Sequence, residues 1–212
     1  MTAPRSPHLD PAALVPDLKT PPGGWPQASD EELLRAMKHG VGDAFDALFE
    51  RHGGVVLSFI ARLTARKADP EDLVQETFLR ILTHAGDFRP GAAFRPWLFT
   101  IARNVTFNAL KKGKRRDEWE VRADLSDWDP PERANAALQS APSARMEKNE
   151  QQARVLTALD DLPPAHREIL VLTVFEGFTY EEAAQITGDP EGTLRSRAFH
   201  ALRKLRDRLK ES

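Results

Sequence analysis

Apolar residues recur every three or four positions through much of this chain, the interval that gathers them on one face of a helix. Leu33, Leu34 and Met37 open the series behind Ser29 and Glu32, which have the spacing of a capping box. His39-Gly40 predicts the end of that helix. Asp43 is placed to cap a second one carrying Phe45, Leu48 and Phe49. The pattern continues past Gly53-Gly54 through Val56, Leu57, Phe59, Ile60 and Leu63. Asp69-Pro70-Glu71-Asp72 offers a cap, a proline at the first helical position and acids in the first turn, and Leu73, Val74, Phe78, Ile81 and Leu82 follow at helical spacing. Gly86 to Ala93 reads as a loop turning at Pro90-Gly91. Arg95-Pro96 then opens a helix through Trp97, Leu98, Ile101, Val105 and Leu110 that ends in the basic run Lys111 to Arg116.

After residue 116 the pattern breaks. Asp117, Glu118, Glu120, Asp124, Asp127, Asp129 and Glu132, with Pro130, Pro131 and Pro142, describe a flexible acidic linker over 117–145. Helical spacing resumes near Arg145 and runs through Val155, Leu156 and Leu159 to Leu162-Pro163. Thr179 and Glu182 fit a second capping box, Ala183, Ala184 and Ile186 give a small apolar face, and Gly188 is placed to end the helix. Asp189 is placed to cap the next helix, with Pro190 at its first position. That helix holds seven basic residues between Arg195 and Lys210 against Asp207 alone. A short helix, a tight turn and a basic helix make the geometry that enters a DNA major groove. No strand-like alternation stands out, so the expected fold is all-α: two small helical domains, 29–116 and 146–212, joined by the linker.

Composition narrows the partners. The 212 residues are 41% hydrophobic and 29% charged with net charge −2, which suits small globular domains carrying local basic clusters rather than a generic polycation. There is no cysteine, so disulfides and thiolate metal sites are excluded. The six histidines show no metal spacing, and no glycine-rich phosphate loop or nucleophile motif is present, so no catalytic residue, metal or cofactor is expected. No stretch approaches the roughly 20 apolar residues of a membrane span. Residues 1–28, with seven prolines and few large apolar side chains, lack a signal-peptide core and read as a mostly disordered tail. A cytoplasmic protein without membrane insertion is the expectation.

Three blocks carry a family resemblance. Asp69-Pro70-Glu71-Asp72-Leu73-Val74-Gln75-Glu76-Thr77-Phe78-Leu79-Arg80 resembles the polymerase-binding helix of bacterial sigma factors. Phe94-Arg95-Pro96-Trp97-Leu98-Phe99-Thr100-Ile101-Ala102-Arg103-Asn104 resembles their promoter-melting segment, and residues 162–208 resemble their second DNA-binding domain. The compact build resembles the extracytoplasmic function (ECF) group. The resemblance implies a transcription initiation subunit that binds core RNA polymerase at its β′ clamp helices and β flap, reads promoter DNA and is held by an anti-sigma factor. It places Asp72, Gln75 and Glu76 against the polymerase and Phe88, Trp97 and Asn104 in or beside the segment that captures an unstacked −10 base. It places Arg195, Ser196 and Phe199 at the −35 element. Lys111, Lys112 and Arg115, at the end of the melting helix, are expected on phosphates. His200 stands where the family often has arginine and is expected at the same −35 surface. Asp189 stands where the family usually has an apolar residue, and Ala198 where it usually has a branched apolar one.

Blander readings stand beside these. A solvated helix face accounts for isolated arginines, and Asp72 is explained by a helix start alone. Phe99 and Trp97 suit a core before a stacking platform. A stand-alone helix-turn-helix regulator would not need the 69–80 helix, and a sigma mimic that sequesters an anti-sigma protein would not need two basic faces.

Overall fold

The computed structural model describes residues 21, 23–65, 67–89, 91–113 and 154–211, and among these there are helices and turns but no strand. The predicted linker, Arg115 and residues 1–20 lie outside the described residues. The first group of helices is α1 (Asp30–Lys38), α2 (Gly42–Thr64), α3 (Pro70–His84) and α4 (Phe94–Gly113). The second is α5 (154–160), α6 (Pro164–Leu170), α7 (Tyr180–Thr187) and α8 (Glu191–Glu211).

Local chemistry sets most of these boundaries. Ser29 accepts from the Glu32 amide while the Glu32 carboxylate accepts from the Ser29 amide, closing the expected capping box on α1. Asp69 accepts from the Glu71 amide at the head of α3. Thr179 and Glu182 repeat the box on α7, which ends at Gly188 with φ 79°, the left-handed conformation that suits glycine. Three expectations shift. Helix α2 begins at Gly42 with Val41 at its cap, so Asp43 sits inside the first turn and complements the helix dipole instead of capping. Asp189 turns its carboxylate to Arg197 at 2.5 Å. The carbonyl of Pro190 already accepts from Leu194, so α8 starts one residue later than expected. The tail also ends earlier than residue 28, because Trp25–Gln27 form a 3-10 turn, Trp25 and Ala28 are buried, and Arg51 donates to the carbonyls of Pro26 and Ala28.

Helix α2 is the hub of the first group. It touches α1, α3 and α4, and Leu48, Phe59, Ile60, Phe78, Ile81 and Leu98 are fully buried between them. In the second group α6 and α7 pack against α8 through Ile169, Leu170, Ile186, Leu194, Ala198 and Ala201. Helix α6 leads into a π turn, Val171–Phe175, where the Glu176 amide reaches the Val171 carbonyl. The two groups share one apolar core: Phe99 of α4 meets Phe178 edge-on, with ring centroids 4.9 Å apart.

Candidate nucleic-acid interface

Asp72, Gln75 and Glu76 are exposed on one face of α3, and their spacing (i, i+3, i+4) places them together. Glu76 accepts from Arg80 at 2.7 Å. The same face continues into Leu79, 56% exposed, a large apolar side chain that the sequence reading passed over although its position one turn beyond Gln75 and Glu76 was visible. An apolar side chain with polar groups beside it has the make-up of a small contact patch, an apolar centre with a polar rim.

At the junction of α3 and α4, Phe88, Phe94 and Trp97 pack edge-on or tilted, with Phe88 and Trp97 centroids 5.3 Å apart. Phe88 is 8% exposed, so it supports the half-buried Trp97 rather than presenting a ring of its own. Trp97, Asn104 and Lys111 lie at i, i+7 and i+14 and therefore share one stripe of α4. Asn104, Lys111 and Lys112 are exposed. Asn108, one turn beyond Asn104, is exposed on the same stripe. It too was passed over, and its i+4 spacing from Asn104 was the available signal.

In the helix-turn-helix, Arg195 is exposed, pairs with Glu191 one turn earlier and lies over the Tyr180 ring at 5.6 Å. Phe199 and His200 are half-buried with rings in contact. Ser196 is only 8% exposed, at odds with a residue offering its hydroxyl to a base. Its short side chain lies low on the helix, flanked one turn on by the longer Phe199 and His200. His166 faces this helix from α6. Burial, and then the charges of Lys204, His200 and Arg197, hold its imidazole below the ordinary histidine range.

A second charged array joins the two helical groups. Arg103 of α4 pairs with Glu168 of α6. Arg62 of α2 reaches the Glu176 carboxylate at 3.3 Å, and Arg95 donates to the Glu176 backbone carbonyl at 2.5 Å with its carboxylate 3.7 Å away. Burial pushes both carboxyls above their ordinary range, although Arg103 beside Glu168, and Arg62 and Arg95 beside Glu176, pull the other way. Arg167 spends its guanidinium on four carbonyls, those of Leu159, Asp160 and Leu162 in its own group and Leu63 of α2. Among the described residues no cluster of histidine and acidic side chains could hold a metal ion. Nor is any helix among them long and apolar enough to cross a membrane.

The sequence matches the family models "Sigma-70 region 2" over residues 48–116 and "Sigma-70, region 4" over residues 152–205. It is 38% identical over 179 residues to the RNA polymerase sigma factor CarQ of Myxococcus xanthus, covering 84% of this chain and 96% of that protein. It is 31% identical to the ECF RNA polymerase sigma factor SigE of Mycolicibacterium smegmatis over 209 residues, covering 95% of this chain and 77% of the relative. This chain belongs to the ECF sigma factor family. With membership comes its function, promoter-directed initiation of transcription through RNA polymerase. Two solved structures align with the fold. CnrH, in complex with the cytosolic domain of CnrY, gives a TM-score of 0.60 at 29% identity over 86% of this chain and 98% of that one. The sigma factor RpoE of Bartonella quintana, in complex with the anti-sigma factor NepR, gives 0.58 at 28% identity over 78% and 96%. In this sigma factor α2 to α4 fall within region 2 apart from the first turns of α2, and α5 to α8 fall within region 4 apart from the tail of α8. Helix α1 and the Trp25 turn lie outside both matches yet pack on the same core.

Proposed function

We propose that this sigma factor binds core RNA polymerase through the α3 face of Asp72, Gln75, Glu76 and Leu79, with the β′ clamp helices as its counterpart. The −10 strand runs along the Trp97, Asn104, Asn108 and Lys111 stripe of α4, with Phe88 bracing Trp97 and the basic run to Arg115 taking phosphates. The −35 duplex is read by α8 through Arg195, Phe199 and His200, with Ser196 joining once uncovered. A melted strand suits a polar stripe with a ring to stack on and cations for its backbone. A duplex suits side chains on an inserted helix. An anti-sigma partner follows by likeness to the Bartonella quintana factor found with NepR. The protein acts in the cytoplasm and contributes no catalysis of its own.

The observation that carries this reading is the uncovered α3 face, three polar side chains around an exposed leucine that the chain's own packing leaves unused. The experiment is in vitro transcription with core polymerase on a promoter library, comparing the chain with an Asp72→Ala, Gln75→Ala, Glu76→Ala variant. The variant should fold normally, bind core polymerase more weakly and give fewer promoter-dependent transcripts. Undiminished core binding by the triple variant would refute the surface assignment.

A further inference from the structure

Promoter elements centred near −10 and −35 lie about 25 base pairs apart, which is roughly 85 Å of B-form duplex at about 3.4 Å per step. In this chain α4 touches α7 directly, and α7 packs on α8. Packed helices lie about 8–10 Å apart, so α8 sits within a few helix widths of α4. The closed arrangement cannot engage both elements at once, and the chain must open by tens of ångströms to do so.

What opening uncovers is specific. Arg95, Phe99 and Arg103 follow one another at i, i+4 and i+8 and form a stripe of α4 turned away from Trp97, Asn104 and Lys111. Arg62 adds a third guanidinium from α2. The carboxylates of Glu168 and Glu176 lie against these three arginines, each side chain only 5% exposed. We propose that Arg62, Arg95 and Arg103 form a partly masked binding face for nucleic-acid phosphates, with Arg95 at its exposed edge and Arg62 and Arg103 kept covered by Glu168 and Glu176 of the chain's own second domain. The proposal rests on the reading above only in naming nucleic acid as the polyanion.

Charge and solvation favour such an exchange. Two carboxylates face three guanidinium groups, so the shut face keeps an excess positive charge. Burial works against both acids, as their raised pKa values show. Buried ion pairs stabilise little once desolvation is counted, so exchanging the two carboxylates for another anion costs little. The Arg62 Nε atom is buried with no hydrogen-bond partner, so even in the closed form one donor goes unused. Phosphates offer the same guanidinium groups bidentate acceptors without burying an acid.

The absence of native cysteine makes the test direct. Cysteines placed at the exposed positions Ser58 of α2 and Glu181 of α7 carry a donor and an acceptor dye on the full chain. Energy transfer should be high in the otherwise wild-type chain, fall in Glu168→Arg, and recover when Arg103→Glu is added to it. The milder pair Glu168→Gln, Glu176→Gln should lower transfer as well, and reports on closure if Glu168→Arg fails to fold. Binding of a labelled oligothymidylate strand, read by anisotropy, should tighten about tenfold or more in the Glu168→Gln, Glu176→Gln chain, with a steeper dependence on salt. Adding Arg95→Gln and Arg103→Gln should abolish that gain. A control pair of equal charge change, Glu31→Gln with Glu50→Gln, should leave both readouts near wild type. Unchanged transfer in the acid-neutralised chain overturns the closure. Lowered transfer with strand affinity no better than the control overturns the phosphate face. If the wild-type chain gives no promoter-dependent transcript with core polymerase, the functional reading fails, while the transfer measurements still decide the closure.

Discussion

Arg167 shows what a single side chain does in this molecule. It is 3% exposed and its guanidinium donates to four carbonyls, which ties the end of α5 and the α5–α6 turn to the end of α2. Burial lowers its pKa, against the pull of Asp160 and Asp161, yet an arginine remains charged at any working pH. Replacing it with alanine strands several buried acceptors, each costing about 1–3 kcal/mol. Arg167→Ala should therefore destabilise by about 3 kcal/mol or more in urea denaturation, and Arg167→Lys should recover only a minor part because it lacks the planar fork. His166, its neighbour, predicts a pH effect. Its folded pKa lies below the ordinary value of 6.5, so the folded state favours the neutral ring. Its stabilising contribution is complete above the ordinary pKa and is lost as pH falls through it toward the folded value. Melting temperature should drop between about pH 7.5 and 5.5, and His166→Gln should flatten that slope. Neither residue was legible in the sequence. Both sit in Pro163-Pro164-Ala165-His166-Arg167, which reads as a polar helix start, and nothing local reports that the arginine's partners lie as far away as Leu63.

At the scale of elements the sequence was far more informative, because caps and breakers are local chemistry. Both capping boxes, the Asp69-Pro70 start and the Gly188 stop could be read from neighbouring residues. The π turn after α6 could not, since Val171 to Phe175 continue the apolar helical pattern and only the hydrogen bonds shift. The pattern continuing past Gly53-Gly54 was legible, and α2 runs straight through the pair. Two glycines then separate conformation from space. An added Cβ meets nothing at Gly54 or at Gly188, but Gly54 is helical while Gly188 has φ 79°. Gly54→Ala should stabilise by about 0.5–1 kcal/mol. Gly188→Ala should destabilise by about 1–2 kcal/mol through left-handed strain alone. Thermal unfolding of the two single variants gives the comparison, and shifts of the same sign would mean that side-chain space rather than φ governs these sites.

For the whole molecule, the all-α class and the order of the two helical units were legible, but their contact was not. Arg62, Arg103, Glu168 and Glu176 look in sequence like solvated charges, and only long-range packing turns them into half-buried or buried pairs, with the exposed Arg95 at their edge. Most of the residues proposed for DNA or polymerase lie on outward stripes with helical spacing, and that exposure is what periodicity makes legible. The burial of Ser196 and Phe88 was not legible, because it depends on neighbours that periodicity does not name. The contact has one more property. The Arg167 guanidinium and the Leu63 carbonyl are 104 positions apart yet belong to one polypeptide, so their meeting is a first-order event. Its equilibrium depends on the effective concentration that the connecting chain imposes, and dilution does not loosen it. Energy transfer in the doubly labelled chain should stay level from nanomolar to micromolar protein. A rise across that range would mean that the second domain of one copy closes on the first domain of another. Any protein that holds the chain open must outcompete a rival that never diffuses away.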